Sequence, residues 1–458
     1  MLKKVILLLV LLIMLIWGTT SRSQDSHDDG KSLIYGPQSG PLSGSTDYLE
    51  IQEPSGPITL WQSLQLALIR NPELAAFSWG VRAREALKLQ AGLYPNPEIE
   101  AEVEEFAGTG ELTGFDSAAT TIQLSQVILL GGKRSKAVEV ARKEWELAGW
   151  GYESKRLDVL SETAKGFVDV LTAQDRLRLS EDLFNLSQGV YDVVAERVRA
   201  GKVSPVEQSK ARVSLTNSEI KLEQARRDLE AARKRLAAMW GSSEPVFEHA
   251  LGNLDNIEEP PPLENLFQWT ERNPDLARWQ AQIERDRAAL KLAKSEVIPD
   301  VTVSGGVQRF NGSDQGAYIV GVSVPVPLFN RNQGNIQAAG HELSRSEENR
   351  RAEDIRIKTE LARTWQDLAA SYRAAVALRE DALPAARHAF DSTREGFRLG
   401  KFEYLEVLDA QRTLFETEGR YLSVLGDYHR TRVEVERLIG TGIESVNRTG
   451  TGSKEQEE

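Results

Sequence analysis

Asn71-Pro72-Glu73-Leu74-Ala75 returns later in the chain as Asn273-Pro274-Asp275-Leu276-Ala277. Leu87-Lys88-Leu89 returns as Leu290-Lys291-Leu292, and Arg199-Ala200-Gly201-Lys202 returns as Arg398-Leu399-Gly400-Lys401. The offset stays near 200 residues throughout, so the 458-residue chain is two tandem copies of one unit. The expected division is a signal peptide at 1–23, an extended arm at 24–57, a first repeat at 58–248, a second repeat at 249–448 and a disordered tail at 449–458.

Proline placement exposes the interior of each unit. No proline falls between Pro97 and Pro205 or between Pro205 and Pro245, and after Pro327 only Pro384 remains. Proline costs about 3 kcal/mol inside a helix, so long helices can run through these gaps. Apolar residues agree. Leu157, Leu160, Ala164, Phe167 and Leu171 step by three and four, as do Leu179, Leu183, Leu186, Val190 and Val193. Leu222, Ala225, Leu229, Ala232 and Leu236 repeat the pattern, and Leu361, Trp365, Leu368, Tyr372 and Ala375 carry it into the second copy. These are heptad-like seams. They predict helical pairs over 133–240 and 333–440. A helix from Lys133 to Ala200 reaches roughly 100 Å at 1.5 Å per residue.

A different pattern precedes each helical pair. Tyr318, Val320, Val322, Val324, Val326 and Leu328 alternate with smaller or polar residues and two prolines. Val301, Val303 and Val307 do the same just before, and Ile99, Ala101 and Val103 alternate with Glu98, Glu100, Glu102 and Glu104. Ile122, Leu124 and Ile128 mark one more run. Period-two alternation of this length predicts hairpins at 97–128 and 299–328, in the manner of membrane strands. Phe106, Phe115, Phe310 and Phe329 stand at the ends, where aromatic girdles form.

Composition narrows the class. Hydrophobic residues make up 40% and charged residues 27%, as in a folded chain. The net charge of -12 argues against nucleic acid as a partner. There is no cysteine, hence no disulfide, thiolate metal site or lipid-modified N-terminal cysteine. Lys3 and Lys4 precede the apolar run Val5 to Trp17, and Ser21 and Ser23 are spaced like a cleavage site. The run is shorter than the roughly 20 residues of a membrane helix, although an uncleaved anchor is the alternative. No other segment is apolar enough to cross a membrane as a helix, so a membrane-spanning form must be a closed β-barrel.

One hairpin per repeat supplies four strands per chain. Four strands cannot close, and an open edge is not tolerated in lipid. Two chains would supply eight strands and three would supply twelve. The pattern does not choose between them, but an eight-stranded barrel is filled by side chains, so an open duct favours three or more.

At this point the residues resemble a known family. The hairpin plus long helical pair, repeated over roughly residues 58 to 440, is similar to the TolC-type outer-membrane efflux proteins. Pro95-Asn96-Pro97-Glu98, Leu124-Ser125-Gln126, Gly131-Gly132-Lys133-Arg134 and the run from Val324 to Gly334 resemble the branch serving cobalt-zinc-cadmium efflux. The resemblance implies an α+β membrane protein in the bacterial outer membrane, contacting its lipid. It implies a homotrimer with a twelve-stranded β-barrel, continuous with a long periplasmic α-helical barrel. It also implies a periplasmic adaptor protein and an inner-membrane RND-type transporter as partners. No cofactor is implied. Many relatives carry a lipidated N-terminal cysteine, so this N-terminus is held otherwise.

The resemblance also points to the helix tips. In both copies a glycine is followed six residues later by glutamate, Gly201 by Glu207 and Gly400 by Glu406. Asp409 lies three beyond Glu406 and shares its helix face. Relatives carry aspartate at both second-repeat positions, facing the narrow periplasmic end of the pore. Here Glu406 replaces one, and Lys210 stands where a first-repeat counterpart of Asp409 would fall. Threefold symmetry turns each carboxylate into a ring, and such rings favour cations. For Glu207 the plainer role is a solvated partner of a helix dipole. Arg199, Gly201, Lys202, Arg398, Gly400 and Lys401 are the expected adaptor contacts.

Enzymatic motifs fail. His341-Glu342-Leu343-Ser344-Arg345 lacks the second histidine of a zinc protease, and Gly131-Gly132-Lys133-Arg134-Ser135 has arginine where a phosphate loop needs serine or threonine. The five histidines are scattered. The competing reading is a periplasmic coiled-coil adaptor, which explains export and helical hairpins but not two equal hairpin-plus-helix repeats.

Overall fold

The computed structural model describes residues 53–313 and 315–443. The expected signal peptide, most of the arm and the tail lie outside the described residues. The first repeat comprises β1 (Ile58–Thr59), α1 (Leu60–Arg70), α2 (Pro72–Ala91), β2 (Glu98–Glu104), β3 (Ala119–Ile128), α3 (Lys133–Arg199) and α4 (Pro205–Ala238). The second comprises β4 (Ala250–Leu251), α5 (Leu263–Phe267), α6 (Pro274–Ser295), β5 (Val301–Phe310), β6 (Gln315–Ser323), α7 (Gln333–Ala377), α8 (Leu383–Arg398) and α9 (Tyr404–Ile439).

The recurring Asn-Pro pair has a local cause. The Asn71 side chain accepts the Leu74 N–H at 2.9 Å, capping α2, and its amide donates to the Met239 carbonyl at 2.8 Å. Asn273 caps α6 by accepting the Asp275 N–H at 2.8 Å and donates to the Leu438 carbonyl at 2.9 Å. Proline at the first helical position loses no hydrogen bond, because that N–H has no intrahelical partner. Each Asn therefore starts a short helix and ties it to the end of the long return helix of its own repeat. Parallel pairing of β1 with β4 joins the two repeats nearby. Glu53, at the end of the arm, accepts from the Trp240 indole at 2.9 Å and from the Val246 N–H at 2.6 Å.

The helices form a row rather than a globule. Helix α3 packs against α2 and α6 and also against α4 and α9; α6 packs on α7, and α9 packs on both α7 and α8. The 67-residue α3 is long enough to meet all four of its neighbours. This explains where its buried residues depart from a single heptad seam. Val159, Thr163, Val170 and Val194 are buried, whereas Val193, on the expected seam, is 45% exposed. A helix with neighbours on two opposite sides buries two faces. On α4, which has a neighbour on one side, Leu222, Ala225, Ala232 and Leu236 are buried as the heptad spacing predicts.

Pro384 interrupts the outgoing helix of the second repeat. Residues Leu378–Ala382 form a π-turn, in which the Leu383 N–H donates to the Leu378 carbonyl. The wider turn accommodates a residue that has no N–H to donate and whose ring crowds the carbonyl four residues back.

The strands form one antiparallel sheet in the order β2-β3-β5-β6. Strand β6 ends at Ser323, so the alternation from Val324 to Leu328 is not strand. Pro325 and Pro327 cannot donate to a ladder, and the chain turns there, with the Leu328 N–H bonded to the Val326 carbonyl. Register sorts the faces. Ile99 and Leu124 align with Gly305 and Val320, and Ala101 and Ile122 align with Val307 and Tyr318. The opposite face carries Glu98 with Ser125 and Ser304, and Glu102 with Thr121 and Gln308. Phe310 pairs with Ala119 and Gln315 on this polar face, not with the apolar residues expected to form a girdle.

Candidate functional site: the helix tips and their carboxylates

Both tips close with the same turn. The Gly201 N–H donates to the Val198 carbonyl at 3.0 Å and the Lys202 N–H to the Arg197 carbonyl at 2.9 Å. The Gly400 N–H donates to Phe397 at 3.0 Å and the Lys401 N–H to Gly396 at 2.8 Å. This pair of bonds is a Schellman closure, which needs a left-handed residue after the cap. Gly201 has φ +67° and Gly400 has φ +75°. A Cβ at either position would meet nothing within 4 Å, so the requirement is for the backbone angle and not for space. Arg199, Lys202, Arg398 and Lys401 are all exposed around these turns. Arg398 is paired with Glu395 at 2.8 Å.

Side chains behind the turns lock one tip to the other. The Arg197 guanidinium lies 4.2 Å from the centre of the Phe397 ring, a cation-π distance. Tyr404 is 2% exposed and packs with Val194, Ala211 and the Phe397 ring. Burial pushes the Tyr404 hydroxyl up to about 12, and the Glu207 carboxylate adds to the shift by opposing a second negative charge.

The predicted carboxylates therefore separate into two places. Glu207 is half-buried on α4 and faces the Tyr404 cluster. Glu406 and Asp409 are exposed on α9 and line a shallow groove with Ala386, Ala389 and Thr393 of α8. The shared helix face expected from their spacing is present. Among the described residues Glu406 has no side-chain ion pair, whereas Asp409 accepts from the Arg412 guanidinium at 2.8 Å. Arg412 is not among the residues that the repeat or the resemblance singles out. The available signal was Asp followed three residues later by Arg on one helix. Among the described residues no group of three or more His, Asp or Glu is placed to hold a metal ion.

A sheet with one apolar and one polar face, leading into paired helices that end in charged tips, defines a membrane duct subunit built twice over. Residues 63–242 and 266–441 match the outer membrane efflux protein family, and the chain belongs to it. It is 35% identical over 389 residues to the cobalt-zinc-cadmium resistance protein CzcC of Cupriavidus metallidurans, covering 85% of this chain and 91% of that protein. It is 27% identical to the nickel and cobalt resistance protein CnrC of the same organism, over 68% of this chain and 72% of CnrC. Among solved structures it superposes on CusC with a TM-score of 0.72 at 19% identity, over 84% of this chain and 92% of that one. On VceC of Vibrio cholerae the TM-score is 0.69 at 18% identity, over 84% and 96% of the two chains. The last two likenesses establish the fold. The protein is thus an outer-membrane efflux protein.

Proposed function

We propose that three copies of this chain close a twelve-stranded barrel in the outer membrane, continuous with a periplasmic helical barrel, and that the duct exports heavy-metal cations. The observation that carries this reading is the sheet. Its edges, β2 and β6, are paired on one side only among the described residues. Ile99 is 79% and Val320 81% exposed on its apolar face. Strands β3 and β5 have ten residues each, the length that crosses a bilayer when tilted. A four-stranded sheet with an exposed apolar face and two open edges satisfies its backbone in lipid only by joining copies of itself. Twelve strands, unlike eight, leave a lumen. The helices support the same assembly. On edge helix α4, Val206, Val213 and Ile220 stand seven apart and are 60%, 61% and 58% exposed. That stripe fits a neighbouring copy.

Inside the barrel the polar face would present Glu98, Glu100, Glu102 and Glu104, which favours cations. The metal named for CzcC and CnrC supports the cargo class. At the periplasmic end, Arg199, Gly201, Lys202, Arg398, Gly400 and Lys401 form the surface for a periplasmic adaptor, through which an RND-type transporter delivers cargo. Glu406 and Asp409 form the gate ring, with Glu207 behind it.

The assembly is tested by native mass measurement of the detergent-extracted protein. The expected species is a trimer; a stable monomer overturns the barrel. Cargo is tested in a deletion strain challenged with cobalt, zinc and cadmium alongside organic toxins. Sensitisation to the metals is expected, and sensitisation to the organic compounds alone removes the metal assignment.

A further inference from the structure

We infer that Arg412 sets the strength of cation selection at the gate by cancelling the charge of Asp409. This rests on the reading that Glu406 and Asp409 line the pore. Arg412 is bound to Asp409 at 2.8 Å, and their side chains are 67% and 69% exposed. The two residues stand three apart on α9, so wherever Asp409 faces, Arg412 stands beside it. The remaining lining of the groove, from Ala386 through Thr413, holds no cation. Asp409 therefore has a counter-charge beside it, while no cation lines the groove with Glu406. Each protomer then contributes a net single negative charge from these three side chains, and a trimer carries half the charge that its carboxylates alone would supply. An exposed pair of this kind contributes little to stability, which frees it to act on ions instead. The function this implies is a limit on affinity. A ring with all six carboxylates unopposed would hold a divalent cation longer and slow its passage.

The test uses planar-bilayer reversal potentials in a potassium chloride gradient at low ionic strength, where surface charge is least screened. R412Q should raise the cation-to-anion permeability ratio by on the order of threefold, from the Coulomb term of one charge per protomer at close range in a hydrated pore. R412K should match wild type. Because the chain has no cysteine, R412C allows a direct check in the same trimer. Neutral at rest, it should behave like R412Q. Attaching a cationic trimethylammonium thiol reagent should bring the ratio back, and a neutral reagent of similar size should not. E406Q is the control for the underlying reading. If E406Q lowers the ratio while R412Q and both R412C adducts leave it unchanged, Arg412 has no part in selection and the pore reading stands. If E406Q changes nothing either, the pore reading fails and this inference falls with it. If R412Q lacks a trimer, the R412C adducts decide the question.

Discussion

If the sheet closes in the proposed trimeric barrel, Gly306→Ala is expected to remove the trimer from the outer membrane. Gly306 lies in β5 opposite Gln123 of β3 and Ile319 of β6. A Cβ there would sit 2.5 Å from the Ile122 carbonyl oxygen and 2.7 Å from the Gln123 Cβ. Both belong to the neighbouring strand, held by its own ladder, so neither can swing aside as a side-chain end would. The pairing at risk is the one that joins the hairpin of the first repeat to that of the second. Ordinary overpacking costs about 1–3 kcal/mol, but in the proposed barrel relief requires breaking ladder hydrogen bonds inside lipid, where water cannot replace them. Gly305→Ala is the matched control, since its Cβ would come only within 4.0 Å of the Ile319 carbonyl oxygen. Unheated electrophoresis of outer-membrane fractions should show trimer for Gly305→Ala and a loss of most or all trimer for Gly306→Ala. Wild-type trimer in the latter means that β3 and β5 do not pair in this register.

The second large effect is expected at Glu406 and Asp409, the carboxylates proposed to form the gate. Replacing Glu406 and Asp409 together by alanine should cut cation preference by more than either single change, and by on the order of tenfold in permeability ratio for a pore ring of this charge. It should also weaken block by multivalent cations added from the periplasmic side. Both side chains are exposed and only Asp409 is ion-paired, so their loss leaves the packing of α8 on α9 through Phe390, Val407 and Leu414 in place. A purely structural role predicts the reverse pattern, namely poorer assembly with selectivity untouched. A double variant that assembles as a trimer and keeps the wild-type reversal potential means that the pair does not line the pore.

Much of the architecture was legible in the chain. The Asn71 and Asn273 pentapeptides announced the duplication, and the same residues prove to be the caps that begin α2 and α6. Proline-free intervals marked α3 and α4, because a single proline is costly in a helix interior. Alternation located all four sheet strands, because side chains on a pleat point to opposite faces in turn. It overran at Val324 to Leu328 because valine at every second position looks the same in a strand and in a proline-punctuated extended segment. Spacing put Glu406 and Asp409 on one helix face, and they do share a groove; the resemblance, not the spacing, singled the pair out.

What the sequence determined by itself is local and periodic: which residues cap, which turn needs glycine, which segments alternate, and that everything occurs twice. Those features depend on neighbours a few positions apart, whose geometry is set by backbone sterics and hydrogen bonding. The tertiary structure decided what depends on distant neighbours. It placed α3 between helices on two sides, so that Val194 and not Val193 is buried. It put Phe310 on the polar face through its pairing with Ala119. It left Glu207, whose charge acts on Tyr404, outside the groove that Glu406 and Asp409 line, although the repeat makes Glu207 and Glu406 counterparts. Equivalent positions in two copies of a sequence share a backbone conformation, but once the copies pack side by side in one wall each meets different neighbours, and burial and charge follow the neighbours.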